Sequence, residues 1–333
     1  FGTRLMGGKD ASQTRYIFTK LTKDARKLFD AKDDAILNYL DDDGRSIEPD
    51  FYMPTLPMVL VNGTEGIGTG FSCYVPPFNP DDIKANIKRI LGGEEIVAMR
   101  PWFRGFKGVV HKEEDTWMME GVWNWSGTNI VVTELPPGRW TQDYKEYLDG
   151  LVEKKMIGGY TNNSTTDDVH FEIMEYAGKD LLKDLKLRKT FRVSNMHLFH
   201  PTKGIHKYAS PEEILKDFVE LRTEHYKKRK AHLIDVLQKK TEMCSHKSKF
   251  VSMVIEGKLV VFKRKKQDLE DEMSSTFPKI DGSLDYLLNI RTVEYTDERV
   301  RALMDEAKQA NEDLEKMMKI SHITMWKNDI KNM

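Results

Sequence analysis

The sequence predicts a multidomain α+β protein with a basic, irregular start, a strand-rich middle and a helical end. Three observations predict it. At 333 residues the chain is too long for one ordinary domain. Between about residues 100 and 205, short apolar and aromatic runs alternate with Gly, Asp and Asn, which is a strand-and-hairpin pattern. Beyond Pro211 no proline interrupts the chain until Pro278, and the apolar spacing turns helical.

The elements follow in order. Residues 1 to about 55 mix basic side chains with apolar residues at helical spacing: Leu21, Ala25, Leu28 and Phe29, then Ile36, Leu37 and Leu40. DDDGRSIEPD (41–50) reads as a turn-rich connector. In FYMPTLPMVLVNGTEGIGTGFSCYVPPFNP (51–80), prolines and glycines bracket the short apolar run MVLV, so irregular backbone held by a scaffold is expected. Asn79 should cap a short helix with Ile83, Ile87 and Ile90 on one face. Strands are predicted at GVV, TWMMEGVWNW, NIVVTEL, 169–174 and 196–200, and helices around 143–155 and 179–187. Ser210-Pro211-Glu212-Glu213 is a capping box with proline at the first helical position. A helix from there through Ile255 reaches about 70 Å. A second helix from near Thr296 carries Leu303, Ala307, Ala310, Leu314 and Met317 at alternating spacings of four and three, a seam for an antiparallel partner. Between the two, residues 256–295 form a small mixed knob. A knob at the tip of a helical arm suits a spacer better than a small-molecule enzyme.

Composition narrows the function classes. Net charge is −1, so nucleic acid would have to be bound by a local patch rather than a global field. The two cysteines, Cys73 and Cys244, lie far apart and point to a reducing compartment. No apolar run approaches the roughly 18 residues of a membrane span, and the sequence shows no signal-peptide pattern. The chain starts without methionine in the middle of a motif, so a fragment is expected. The histidines show no HExxH spacing, and the acid pairs Asp33-Asp34 and Glu94-Glu95 are read as solvated residues at helix starts or turns. The basic runs 227–230 and 263–266 are read as solvated faces.

Two stretches carry candidate chemistry. In GGKDASQTRYIFT (7–19), Tyr16 follows Arg15. A phenol titrates near pH 10 and is a poor nucleophile unless its anion is stabilised, which a guanidinium can do while also holding a phosphate oxygen. Gly7 and Gly8 let backbone approach a phosphate, and Arg4, Lys9, Arg15, Lys20 and Lys23 line a basic segment. The same residues also fit a solvated helix face and a packed aromatic. In EGIGTG (65–70), Ile67 stands on backbone stripped of neighbouring bulk. It either plugs a core or is a wedge that kinks a duplex. Neither a dinucleotide-binding motif nor a P-loop is present.

Several blocks in order resemble the breakage-and-reunion region of a type IIA DNA topoisomerase of the eukaryotic kind. They are FGTRLMGGKDASQTRYIFT, EPDFYMPTLPMVLVNGTEGIGTGFSCYVPPFNP, PWFRGFKG, TELPPGRWTQDYKEYL, FVELRTEHYKKRK and MWKNDI. The resemblance implies the later part of a winged-helix domain in 1–55 and an α/β tower domain in 56–206. It implies a long antiparallel coiled coil in 207–333, with the knob at 256–295 as a globular dimerisation gate. Tyr16 then matches the nucleophile that joins a DNA 5′-phosphate, and Arg15 the arginine that stabilises its transition state. Arg4 and Lys9 match DNA-contacting positions, Ile67 the intercalating isoleucine, and Trp140 and Asn195 further DNA-facing residues of the tower. Double-stranded DNA and a second copy in a homodimer are the implied partners, with no membrane. Mg²⁺ and ATP are implied as cofactors held in upstream domains, with no metal ligand in this chain. The implied location is the nucleus, or a viral factory or virion if the source is a large DNA virus. A catalytically inert dimeric DNA-bending clamp of the same fold is the alternative, and the GIGTG loop disfavours a bacterial-type gyrase subunit.

Overall fold

Alternation of apolar side chains builds the middle of the chain, as its sequence dictates. The computed structural model describes residues 2–70, 72–200, 202–280 and 282–333. Its contacts separate one unit made of the chain through Phe29, Pro54–Leu221 and Met333 from another made of Asp30–Met53 and Arg222–Asn332.

In the first unit the strands Val122–Ser126, Asn129–Glu134, Gly159–Asn162 and Phe171–Met174 form an antiparallel sheet. Phe171–Met174 lies between Asn129–Glu134 and Gly159–Asn162. Ile130 and Val132 point inward from one strand, and Phe171 and Ile173 from the next. Helix Thr141–Glu153 lays Tyr144, Leu148 and Leu151 on them at helical spacing, closing the core of this unit. Each such side chain contributes about 1.5–3 kcal/mol by leaving water. A smaller antiparallel sheet joins Val109–Glu113, Thr116–Glu120 and Arg188–Phe191. Helix Pro80–Ile90 starts where expected, with the Asn79 side chain accepting from the Asp81 amide at 2.9 Å and Ile83 and Ile87 buried.

Three stretches depart from the sequence reading. Residues 21–38 hold only the short helix Ala25–Leu28 and a 3-10 turn at Ala31–Ile36, not a continuous helix. Asp30 caps that turn by accepting from the Lys32 amide, a local bond that competes with helix. The segment read as a connector is a hairpin, Tyr39–Asp42 with Arg45–Pro49. Its two-residue loop has Asp43 at φ 50° and Gly44 at φ 79°, the left-handed pair that an Asp-Gly turn supplies. The bracketed stretch 51–80 is less irregular than expected, with helix Met58–Asn62 and the hairpin Thr64–Ile67/Ser72–Val75.

The second unit is mainly helical. Helix Pro211–Ile255, which supplies residues to both units, starts with Ser210 Oγ accepting from the Glu213 amide at 3.3 Å. The Glu213 carboxylate reaches back to the Ala209 amide rather than to that of Ser210. Helix Asp297–Lys319 begins at a Thr296 cap and runs antiparallel to it. Lys230 Nζ donates to the Met318 carbonyl, Cys244 faces Glu306, and Phe250 and Val251 share a core with Leu303. Leu303 and Ala310 are buried, and Ala307, Leu314 and Met317 half-buried, so the seam faces its partner. Leu259, Leu269, Met273, Phe277, Leu284 and Leu287 give the knob a core of its own.

Asp33 and Arg229 correct the reading of their runs as solvated. Asp33 is 3% exposed and accepts from Arg222 at 2.7 Å and from Arg229 Nε at 2.6 Å. Arg229 also donates to Asp329 at 2.7 Å, as does the Tyr226 hydroxyl, and Trp326 stacks on the Tyr226 ring. The FVELRTEHYKKRK and MWKNDI blocks therefore meet in one buried ionic and aromatic cluster. Among the described residues no helix is long and apolar enough to cross a membrane.

Candidate active site

The glycine loop closes on itself before Tyr16. The Thr3 amide and hydroxyl donate to the two carboxylate oxygens of Asp10 at 2.9 and 2.6 Å, and the Gly8 amide donates to the Thr3 carbonyl. The Thr3 hydroxyl and amide hold the Asp10 carboxyl below the usual carboxylate range. Gly7 turns the chain at φ 61°, and a Cβ there would run into the Trp140 indole. Trp140 is the residue before helix Thr141–Glu153, without a side-chain cap bond, and the Gln142 amide donates to the Leu5 carbonyl. Arg4 is ion-paired to Glu134, whose side chain is 1% exposed. The structure thus brings Arg4 and Trp140 together under the loop that presents Lys9, and Lys9 itself is exposed.

Tyr16 ends a 3-10 turn, Thr14–Tyr16, that buries nothing. At 73% exposure it is the most exposed tyrosine among the described residues, which removes the packed-aromatic reading. The Arg15 guanidinium lies 5.3 Å from the centre of the Tyr16 ring. Gln13 holds it, with its side-chain oxygen accepting from Arg15 Nε at 2.7 Å and also from Nη2. An oriented cation beside an exposed phenol can bind an anion that the phenol oxygen attacks.

Ile67 and Asn195 form a second group. Ile67 is 93% exposed at the end of its strand, so it plugs no core. The strand behind it, Ser72–Val75, is bonded to Asn195, whose side-chain amide donates to Ser72 Oγ at 2.6 Å. Tyr74, on the same strand, is pushed up to about 12 by burial and by the nearby Glu65 charge and stays protonated. Asn195 and Trp140 therefore make protein contacts that support the loops.

Gln13, Ser72 and Glu134 were not singled out from sequence. Glu134 left a signal there: the alternation Ile130, Val132, Glu134 turns all three inward, and a buried carboxylate demands a cation. Gln13 and Ser72 left none. Among the described residues no three His, Cys, Asp or Glu side chains converge where a metal ion could sit.

The chain as a whole is similar to known proteins in sequence and in fold. A family model for the A subunit of DNA gyrase/topoisomerase IV matches residues 1–331. The chain belongs to the type IIA DNA topoisomerase family. It is 35% identical to DNA topoisomerase 2 of Penicillium chrysogenum across 100% of its length. Against DNA topoisomerase 2 of Arabidopsis thaliana it is 41% identical over 82% of its length. It spans 24% and 20% of the lengths of those two proteins. A crystal structure of the Plasmodium falciparum topoisomerase II DNA-binding, cleavage and re-ligation domain superposes with a TM-score of 0.91 at 37% identity, covering 99% of this chain and 50% of that one. The mixed α/β architecture with antiparallel sheets is thus that of a type IIA cleavage region, and these relatives come from eukaryotes, the branch that the GIGTG loop resembles.

Proposed function

We propose that this chain is the DNA-cleavage part of a type II topoisomerase that opens a duplex transiently through a 5′-phosphotyrosyl link. The observation that carries the reading is the exposed Tyr16 beside the Gln13-held Arg15 guanidinium, on a chain of this family. The Tyr16 oxygen attacks a backbone phosphorus and gives up its proton. The bond to the 3′ oxygen breaks, that oxygen takes up a proton, and the 5′-phosphate stays on Tyr16. Arg15 stabilises the charge that builds on the phosphoryl oxygens. The bond is replaced rather than hydrolysed, so the step reverses and the strand is resealed.

In this reading residues 1–55 are the later part of a winged-helix domain, 56–206 the tower, and 207–333 a coiled coil with a dimerising gate. Lys9 and Arg4 meet the backbone near the break, and Ile67 enters the stack and bends the duplex. A homodimer sets two Tyr16 nucleophiles on opposite strands, and a second duplex passes between them, relaxing or decatenating DNA. The nucleus is the proposed site of action. Mg²⁺ and ATP would be held by other domains of the enzyme, the metal supplying further charge stabilisation at the phosphate and ATP driving passage.

The test is covalent. The full-length protein carrying this chain, mixed with Mg²⁺ and DNA radiolabelled at the backbone phosphates, including the one that is attacked, is denatured and digested. Label is expected on a peptide containing Tyr16 and absent in Tyr16→Phe. DNA that is bound and bent by a folded dimer without an adduct would replace this mechanism with that of an inert clamp.

A further inference from the structure

The hairpin that carries Ile67 is supported from one side only. Every residue of Thr64–Ile67 is exposed, whereas Ser72–Val75 is half-buried to buried. A free two-stranded ribbon is marginally stable, so the direction in which Ile67 points depends on what holds Ser72–Val75. Ile67 pairs in register with Ser72. Ser72 in turn is gripped twice from the adjoining strand Met196–His200 and the residue before it. Asn195 Nδ2 donates to its hydroxyl at 2.6 Å, and His197 Nδ1 donates to its carbonyl at 3.2 Å. Two residues along, the Tyr74 amide donates to the Asn195 carbonyl at 2.8 Å, and the Tyr74 ring meets Phe191 edge-on. His197 and its strand are anchored by the antiparallel partner Gly204–Tyr208.

A wedge that unstacks a base step is pushed back by the stack, and the push passes through the cross-strand partner. The residue opposite the wedge is the one that two side chains hold. We infer that Asn195 is a positioning residue that fixes the direction of the Ile67 wedge, and so the bend of the bound duplex, through the Ser72 hydroxyl. The inference rests on Ile67 acting as that wedge. It gives Asn195 a role as a brace rather than a DNA contact. A contact to phosphate changes affinity and its salt dependence, whereas a brace changes the shape of the bound DNA at nearly constant affinity.

The experiment measures bending by energy transfer between dyes at the two ends of a short duplex, with affinity read on the same samples and salt varied. It uses the full-length protein with Asn195→Ala, Ser72→Ala, the double variant, Ser72→Thr and Ile67→Ala. Asn195→Ala and Ser72→Ala are each expected to lower the ratio of bent to unbent complex about fivefold, the scale of one lost hydrogen bond. Affinity should change less than about twofold, the salt slope should not move, and the double variant should match the singles. Ser72→Thr, which keeps the hydroxyl, should retain bending. If Asn195→Ala weakens binding and lowers the salt slope instead, Asn195 is a DNA contact and the brace is wrong. If Ile67→Ala abolishes bending but neither brace variant alters it, the brace alone fails. If Ile67→Ala leaves bending intact, the wedge reading fails first. Should Asn195→Ala not fold, Ser72→Ala removes the same bond from the other side and decides alone.

Discussion

Arg15 can serve a phosphate only with the part of its fork that Gln13 leaves open. A guanidinium has five N–H donors, and Gln13 engages the Nε and Nη2 nitrogens. The Nη1 edge remains for an anion, and its direction is set before DNA arrives. Gln13→Glu would put a carboxylate on that fork and cancel much of its charge. Adduct formation in a single turnover is expected to slow about tenfold, a loss of about 1.4 kcal/mol of transition-state stabilisation. Gln13→Ala, which frees the fork without neutralising it, should cost less. An unchanged rate in Gln13→Glu would mean that Arg15 turns away from Gln13 when it works. The same scale shows what local reading misses. An exposed glutamine two residues from an arginine is ordinary, and only the folded chain shows that it holds the guanidinium.

Loops and helices carry the next level, where Gly7 meets Trp140. A residue other than glycine in the left-handed region costs about 1–2 kcal/mol, and a Cβ at Gly7 would also collide with the indole. Gly7→Ala should therefore destabilise the unit by at least about 2 kcal/mol in urea unfolding. Adding Trp140→Ala should relieve the collision but not the backbone strain, so the pair should lose less than the sum. Additive losses would show that the loop does not rest on Trp140. The elements that sequence made legible are those whose signals are local: the Asn79 and Thr296 caps, the alternation around Ile130, and the seam from Leu303 to Met317. The hairpin at 39–49 was missed because its strands are exposed almost throughout and lack alternation, although Asp43-Gly44 was there to be read. The two groups of candidate residues were named from motifs. What holds them was not, since Asn195 meets Ser72 across 123 residues of chain.

At the scale of the whole chain, the compact units do not follow sequence order. Asp30–Met53 joins a unit otherwise built from Arg222 onward, and Asp33 joins it by contacts 189 and 196 residues long. Burial by itself would push the Asp33 carboxyl up. The Arg229 hydrogen bond and the Arg222 and Arg229 charges outweigh it, and the carboxyl sits below its ordinary range. Such a depressed value stabilises the fold fully above the unfolded carboxyl's pKa of about 3.9, and the stabilisation is lost as pH falls through the lower folded value. Asp33→Asn leaves two buried guanidiniums with too little negative charge, because Arg222 Nε and Nη1 already lack a partner among the described residues. The variant should lose about 3–5 kcal/mol at neutral pH. The gap to wild type should then narrow as pH falls below about 4, where wild type gives up the same interaction. Urea midpoints followed by helix content, at neutral pH and at about pH 3, test both statements. A gap that stays constant with pH would show that Asp33 contributes by its shape rather than its charge, and that the segment 30–53 is held to its helices by packing.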